Sequence, residues 1–326
     1  MAIGNQLWAA SIGYQLSVIS RPDRLTGLPT SDFRRAPLLH AGGVDPTGWL
    51  WSDWNIEPTI AIALLALLTA YLFITKTSSF STQKASFIAG TVVVFVALGP
   101  PLDDWSDHYL LLAHMVQHLL LIMLAAPLLL YGTPAWVLEP LTRNRITNTI
   151  GYWLTRPVIA YLVANAVFVL WHVPMLFEMA LRSQPVHGFE HATMLGTALL
   201  AWWPILGPLQ QWPRLALPLH SLYYFAMTLP GTAVGAFITF TDPGLYAPYD
   251  TAQRIFGIDL ATDQQAAGLL MWVALGTVYL LLITVSFFRW VSREEAADRD
   301  AATKTGTTVA TAPATGDQGA RVSSTS

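Results

Sequence analysis

The chain consists of long apolar runs separated by short polar connections. Seven runs are long enough to cross a bilayer when some tilt is allowed, namely residues 56–75, 86–101, 109–131, 157–174, 188–207, 219–240 and 267–289. The pattern predicts an all-α fold, a polytopic membrane helix bundle with about seven transmembrane helices. Around this membrane domain (56–290) we expect an external N-terminal segment (1–55) and a disordered cytoplasmic tail (291–326).

The composition agrees with a membrane protein and restricts its chemistry. Hydrophobic residues make up 53% of the chain and charged residues 11%. Cysteine is absent, which excludes disulfides, CxxC redox motifs and thiolate metal sites. A metal site would therefore have to consist of His, Met, carboxylate or backbone ligands. The net charge of -3, without a basic face, gives no indication of a nucleic-acid partner.

Basic residues predict the orientation of the bundle, because Lys and Arg concentrate in cytoplasmic loops. The connections after the odd-numbered spans, and the tail, contain most of them: Lys76, Lys84, Arg143, Arg145, Arg156, Arg214, Arg289, Arg293, Arg299 and Lys304. The opposite connections hold only Arg182 and Arg254. Arg34 and Arg35, before the first span, oppose this assignment but are outnumbered. The prediction is that the N-terminus is outside and the C-terminus inside.

Two pairs of histidines interrupt the apolar runs with the same spacing. His114 and His118 form one pair, and His187 and His191 form the other. Residues four positions apart lie on one face of a helix, and ionisable groups within a membrane span are rare and usually functional. The predicted topology brings both pairs, together with His172, to the outer half of three consecutive spans. We therefore expect the five imidazoles to converge.

Histidine and methionine together, without cysteine, favour copper, and the soft methionine sulphur favours Cu(I). The predicted ligands share an outward position in the third to fifth spans: His114, His118, His172, His187, His191 and Met115. Two alternatives remain open, namely axial ligation of a haem and simple hydrogen bonding between helices. Residues 187–191 also match the zinc pattern H-x-x-E-H, although nothing else in the sequence indicates a protease.

Four other residues carry predictions. Glu190 is expected either to orient an imidazole or to cap the start of its helix. Asp263 is expected to cap the N-terminus of the last span. Tyr246 and Tyr249, in the outer connection before the last span, are candidates for a partner-facing rim, although such residues are more often interface anchors.

The order of the motifs resembles that of one known family. The corresponding blocks are residues 114–118 (HMVQH), 126–128 (APL), 132–134 (GTP), 171–174 (WHVP), 187–191 (HGFEH), 202–204 (WWP) and 263–272 (DQQAAGLLMW). Over about residues 50 to 290 they are similar to the Bacillus-type, polytopic CtaG family of cytochrome c oxidase assembly proteins. A single-span copper chaperone that shares the name uses cysteines, which this chain lacks.

The resemblance implies a seven-helix protein that is needed to mature a haem–copper oxidase. Combined with the ligand set, it leads to the hypothesis of a non-enzymatic assembly factor in the bacterial plasma membrane. This factor would bind copper and help deliver it to the oxidase. Its expected partners are cytochrome c oxidase subunits, the lipid bilayer and an external copper donor protein. The alternatives are a haem b electron-transfer protein and a copper transporter.

Overall fold

The computed structural model describes residues 58–79 and 81–302, together with the backbone of residues 303–310. The predicted N-terminal segment (1–55) lies outside the described residues. Within them the regular structure is all-helical, which confirms the all-α part of the predicted fold class. The α-helices are α1 (Pro58–Ile74), α2 (Thr82–Ala97), α3 (Leu102–His108), α4 (Leu111–Leu119), α5 (Ala126–Gly132), α6 (Ala135–Arg143), α7 (Arg145–Leu154), α8 (Pro157–Trp171), α9 (Pro174–Leu181), α10 (Gln184–Leu206), α11 (Leu217–Phe240), α12 (Ala247–Asp250), α13 (Leu260–Leu269) and α14 (Leu275–Ala310).

Among the described residues, four helical segments are long and apolar enough to cross a membrane: Thr82–His108, Leu111–Gly132, Leu217–Phe240 and Leu260–Ala302. Helices α7 and α8, which meet at a bend of 77°, would make a fifth span if taken together. Helix α1 is apolar but has only 17 residues. The protein thus has several candidate membrane helices, whereas the count of seven and the orientation stay predictions.

Large apolar side chains on the outside of the bundle agree with a lipid environment. Ile62, Phe240 and Phe288 are each more than 60% exposed. In water such side chains would add to an extended apolar surface, whereas lipid chains can cover them. The long apolar helices and the exposed apolar side chains therefore both agree with a location in the membrane.

Helix α3 replaces a connection that we expected between the second and third spans. Pro101 precedes it, and Asp103 and Asp104 occupy its first turn. Negative charges in a first turn interact favourably with the helix dipole, so these aspartates stabilise the start of a helix. As a result, Asp107 lies in a helix beside the bundle.

The last helix also differs from the prediction. Helix α14 continues to Ala310, so the first part of the tail is helical where we expected disorder. Its sequence after Ser292 is rich in Glu, Ala, Asp and Arg, and Ala, Glu and Arg favour helices. The rest of the predicted tail, residues 311–326, lies outside the described residues.

The centre of the bundle is a nearly continuous run of α4, the π-helical segment Leu120–Ala125 and α5, which packs against α2, α10 and α13. Helices α11 and α13 cross closely at two glycines. A Cβ atom at Gly235 would lie 2.8 Å from the carbonyl oxygen of Gly268, so only glycine fits this crossing. Helix α13 also packs against α4, which carries the first histidine pair.

Candidate metal centre

Helix α4 presents His114 and His118 on one face, as their spacing predicts. Their Nε2 atoms are 3.0 Å apart, and both side chains are at most 1% exposed. The π-helical segment Leu120–Ala125 follows directly. Such segments insert an extra residue into a helix and occur often at functional sites. Here it changes the helical register just after His118.

The structure brings all five predicted histidines together. The ring centroid of His114 lies 5.4 Å from that of His187, and His118 lies 5.5 Å from both His172 and His191. Within α10, His187 and His191 are 4.3 Å apart. None of the five is more than 5% exposed. The imidazoles of α4, α10 and the end of α8 thus form one buried cluster, which we call the histidine cluster.

Glu190 lies inside this cluster and not at a helix cap. Its Oε1 atom is 3.6 Å from His114 Nε2 and 3.4 Å from His118 Nε2, and the residue is fully buried. These distances exceed those of ordinary hydrogen bonds. The sequence signal for this residue was the H-x-x-E-H pattern, but its position at the centre follows only from the packing of α10 against α4.

Several buried polar atoms of the cluster have no hydrogen-bond partner among the described residues: His118 Nδ1, His172 Nε2, His187 Nε2, His191 Nε2, Glu190 Oε1 and Glu190 Oε2. Buried polar groups are nearly always satisfied, so six such atoms in one place require a physical reason. A bound cation would supply it, because each of these atoms can donate an electron pair to a metal.

The second nitrogen of two imidazoles lies beside an oxygen atom. His172 Nδ1 donates a hydrogen bond of 2.6 Å to the carbonyl of Phe168. His187 Nδ1 lies 3.5 Å from Asp107 Oδ1. Metal-binding histidines usually donate their other ring N–H to a carbonyl or carboxylate, which fixes the tautomer. At His172 this arrangement leaves Nε2 free of a hydrogen bond within the cluster.

Two sets of three residues have ligand atoms that lie within 4.8 Å of one another: His114, His118 and His191, and His114, His187 and Glu190. All of these residues are buried, and His114 belongs to both sets. Imidazole nitrogens suit zinc, copper, iron and nickel. Because each residue offers one ligand atom, His114 can serve only one ion at a time, and the donor atoms therefore fit one transition-metal ion held by either set.

Met115, the sixth predicted ligand, is fully buried in an apolar cluster that includes Phe177, Tyr246 and Met271. It shares helix α4 with His114, but its surroundings are those of a packing residue. Its role as a ligand therefore stays a prediction.

Gln117 was not predicted to matter, although it lies between the two histidines of α4. Its Nε2 atom donates to the carbonyl of Ala97 at 2.8 Å and to Asp103 Oδ1 at 2.9 Å. It thus connects α4 with α2 and α3 beside the histidine cluster. The sequence signal was its place in the HMVQH block.

The two tyrosines that we expected on an outer rim are buried instead. Tyr246 donates a hydrogen bond of 2.9 Å to the carbonyl of His172, and Tyr249 donates one of 2.5 Å to the carbonyl of Ser106. Burial raises the pKa of each phenol well above its ordinary value, so both stay protonated donors. Tyr249 also reaches within 3.4 Å of His114 Nδ1. The prediction of a partner-facing rim was wrong for both tyrosines.

Asp263 caps a helix, but not the one that we expected. Its two carboxylate oxygens accept hydrogen bonds of 2.9 Å from the amides of Leu111 and Leu112, at the start of α4. The start of α13 is capped by Asp259, whose side chain accepts from the amide of Thr262. Asp263 therefore supports the helix that carries His114 and His118.

Comparison with known proteins identifies one family. The family model described as cytochrome c oxidase caa3 assembly factor (Caa3_CtaG) matches residues 67–293. No curated protein and no solved structure matches the chain. The matched region contains every member of the histidine cluster, and it extends over more than half of the sequence. The chain therefore belongs to the family of cytochrome c oxidase caa3 assembly factors.

Proposed function

We propose that this protein binds copper at the histidine cluster and helps to deliver it to a haem–copper cytochrome c oxidase. The observation that carries the proposal is the set of buried, unpartnered donor atoms on four imidazoles and Glu190. The family supplies the context, because its members assemble an enzyme whose active centres contain copper and haem. In this account the protein is a binding and transfer factor and not an enzyme.

The ligand chemistry supports copper. Three neutral imidazoles, those of His114, His118 and His191, can hold a Cu(I) ion in a low-coordinate site. Glu190 adds a negative charge beside them, which offsets the positive charge of the ion in the low-dielectric interior. Since more than three imidazoles are present, the remaining rings serve as positions through which the ion can be passed on.

Haem is the other metal group of the oxidase, and the packing of the imidazoles opposes it. The rings of His114 and His118 are 4.5 Å apart, and the ring of Phe177 lies 4.7 Å from His114. Ligation of one haem by two histidines requires a porphyrin between the imidazoles. These rings contact one another directly, so copper is the better match.

We further propose that the protein lies in the bacterial plasma membrane with the cluster towards the outer side, where an external donor protein supplies the metal. Support comes from α3, which carries Asp103, Asp104 and Asp107 at the edge of the cluster. These carboxylates attract cations to this end of the bundle. The oxidase subunits would receive the ion on the same side.

Deletion of the gene in the native host tests this function. We expect oxidase that is made but lacks copper, with low activity that returns when the wild-type gene is restored. A gene carrying both His114→Ala and His118→Ala should fail to restore it, whereas His220→Ala should succeed. His220 is a suitable control because it bonds to the carbonyl of Leu215, outside the cluster.

Fully metallated, active oxidase in the deletion strain contradicts the assembly role. A deletion that lowers cytosolic copper, while external copper restores the oxidase, indicates a copper transporter instead. A Soret band with sharp α-bands in the purified, reduced protein indicates haem.

A further inference from the structure

Helix α3 places one carboxylate directly against the histidine cluster. Asp107 Oδ1 lies 3.5 Å from His187 Nδ1 and accepts a hydrogen bond of 3.2 Å from the Ser106 hydroxyl. The peptide carbonyl of Ser106 is in turn held by the Tyr249 hydroxyl. The end of α3 is thus fixed in place, and the position of Asp107 is part of the packed structure.

The exposed fraction of the side chains decreases from Asp107 towards the centre of the histidine cluster. The side chain of Asp107 is 12% exposed and that of His187 is 5% exposed, whereas Glu190 and His114 are fully buried. His187 lies between the partly exposed Asp107 and the buried ligands. Its Nδ1 atom faces Asp107, while the residue also belongs to the set of possible ligands with His114 and Glu190. Asp107 and His187 therefore connect the partly exposed side of α3 with the buried centre.

We infer that Asp107 and His187 form an outer copper site, at which the ion binds first before it moves to the histidine cluster. The inference rests on the proposed function, since it gives the route by which copper reaches the buried ligands. It adds a ligand, Asp107, that lies outside the cluster and places a carboxylate 3.5 Å from His187 Nδ1.

The distance between the two groups suits a metal. Bonds of about 2.1 Å in a tetrahedral arrangement place neighbouring ligand atoms about 3.4 Å apart. The observed separation of 3.5 Å between Asp107 Oδ1 and His187 Nδ1 is close to this value, whereas it is long for a hydrogen bond. A carboxylate at a partly exposed edge also raises the local concentration of cations and so the rate of binding.

The transfer inwards requires only an exchange of ligands. Rotation of the His187 imidazole carries the ion inwards on Nδ1, so the copper–nitrogen bond is kept. The bond to Asp107 Oδ1 breaks as a bond to a Glu190 oxygen forms. One carboxylate replaces another, and no electron or proton is transferred. Since Glu190 is fully buried and Asp107 is not, the ion moves from an accessible position to an enclosed one.

A different role for Asp107 would be simply to orient His187 through its ring N–H. The two roles affect different quantities. A residue that only orients a ligand changes the equilibrium affinity of the finished site, whereas a first binding position changes mainly the rate at which copper arrives.

The rate of copper transfer separates these roles. Full-length protein in detergent is mixed with the coloured Cu(I)–bicinchoninate complex, and the loss of colour is followed over time and at equilibrium. We expect Asp107→Asn to slow transfer about tenfold and to leave the final copper affinity almost unchanged. Asp104→Asn, which removes the same charge from the same helix but keeps the carboxylate beside His187, should slow transfer at most about twofold. Asp107→Glu, which keeps the carboxylate, should restore most of the rate.

An equal loss of rate in Asp107→Asn and Asp104→Asn would overturn the inference, since it would indicate a general effect of charge. An unchanged rate with a weaker final affinity would overturn it as well, in favour of an orienting role. If the wild-type protein takes up no copper, the proposed function itself fails, and that result is distinct from both of the others.

Discussion

The buried carboxylate of Asp263 accepts a hydrogen bond from the amide of Leu111, which precedes it by 152 positions in the chain. Leu111 is the first residue of α4, and no side chain of α4 or of the residue before it caps this helix start. The other carboxylate oxygen of Asp263 accepts a hydrogen bond from the amide of Leu112. The side chain of Asp263 in α13 therefore caps the start of α4, and His114 lies one turn after that start.

Removal of this carboxylate should weaken the start of α4. In Asp263→Ala, two amide groups lose their partner, and the one on Leu111 is buried. Each unsatisfied buried donor costs about 1–3 kcal/mol, so we expect a lower midpoint of thermal unfolding in detergent and a weaker affinity for copper. Asp259→Ala is the control, because it removes an exposed cap of α13 and should leave the copper affinity unchanged. Equal midpoints for Asp263→Ala and the wild-type protein would refute this role.

Replacement of Glu190 should change stability and copper binding in opposite directions. Glu190→Gln removes a charge that is fully buried and has no hydrogen bond. Its amide can donate to neighbouring imidazoles, so we expect the free energy of unfolding of the metal-free protein to rise by about 1 kcal/mol. The affinity for copper should fall about 10–100-fold.

Unfolding curves without metal and copper titrations of the same samples measure both effects. Copper affinity equal to that of the wild-type protein would show that Glu190 does not contact the ion. The matched variant Glu178→Gln, in α9, should not change copper binding, since Glu178 pairs with Arg182 outside the cluster.

Substitution of the glycines at the crossing of α11 and α13 should separate these helices. A Cβ at Gly268 would lie 2.7 Å from the carbonyl oxygen of Gly235, so Gly268→Ala should destabilise the protein by about 1–3 kcal/mol. Gly276→Ala is the matched control, because no atom lies within 4 Å of a Cβ there. Thermal unfolding of both variants checks this packing. Equal midpoints for the two would contradict it.

The convergence of the histidines could be predicted because two simple regularities determine it. The spacing of His114 and His118 puts both on one face of a helix, and the predicted alternation in the direction of successive spans brings the second pair to the same end. Neither regularity depends on side-chain detail. The predicted meeting of the five imidazoles is accordingly what the structure has.

The residues around the cluster were harder to predict because their partners are distant in sequence. Asp263 lies in the first turn of α13, where a local cap is the simplest expectation, but the nearby Asp259 already provides that cap. Tyr249 follows Pro248 in a polar stretch typical of a surface loop, yet its hydroxyl is buried against Ser106. Only the packing of α13, and of the segment before it, onto α3 and α4 determines these contacts.

The copper content of the purified protein tests the central claim most directly. Protein expressed with copper in the medium should carry about one copper ion per chain, because His114, His118 and His191 together form one three-imidazole site. The variant with both His114→Ala and His118→Ala should lose nearly all of it, while His220→Ala should keep it. Copper content in the double variant equal to that of the wild-type protein would contradict the assignment of the histidine cluster as the copper site.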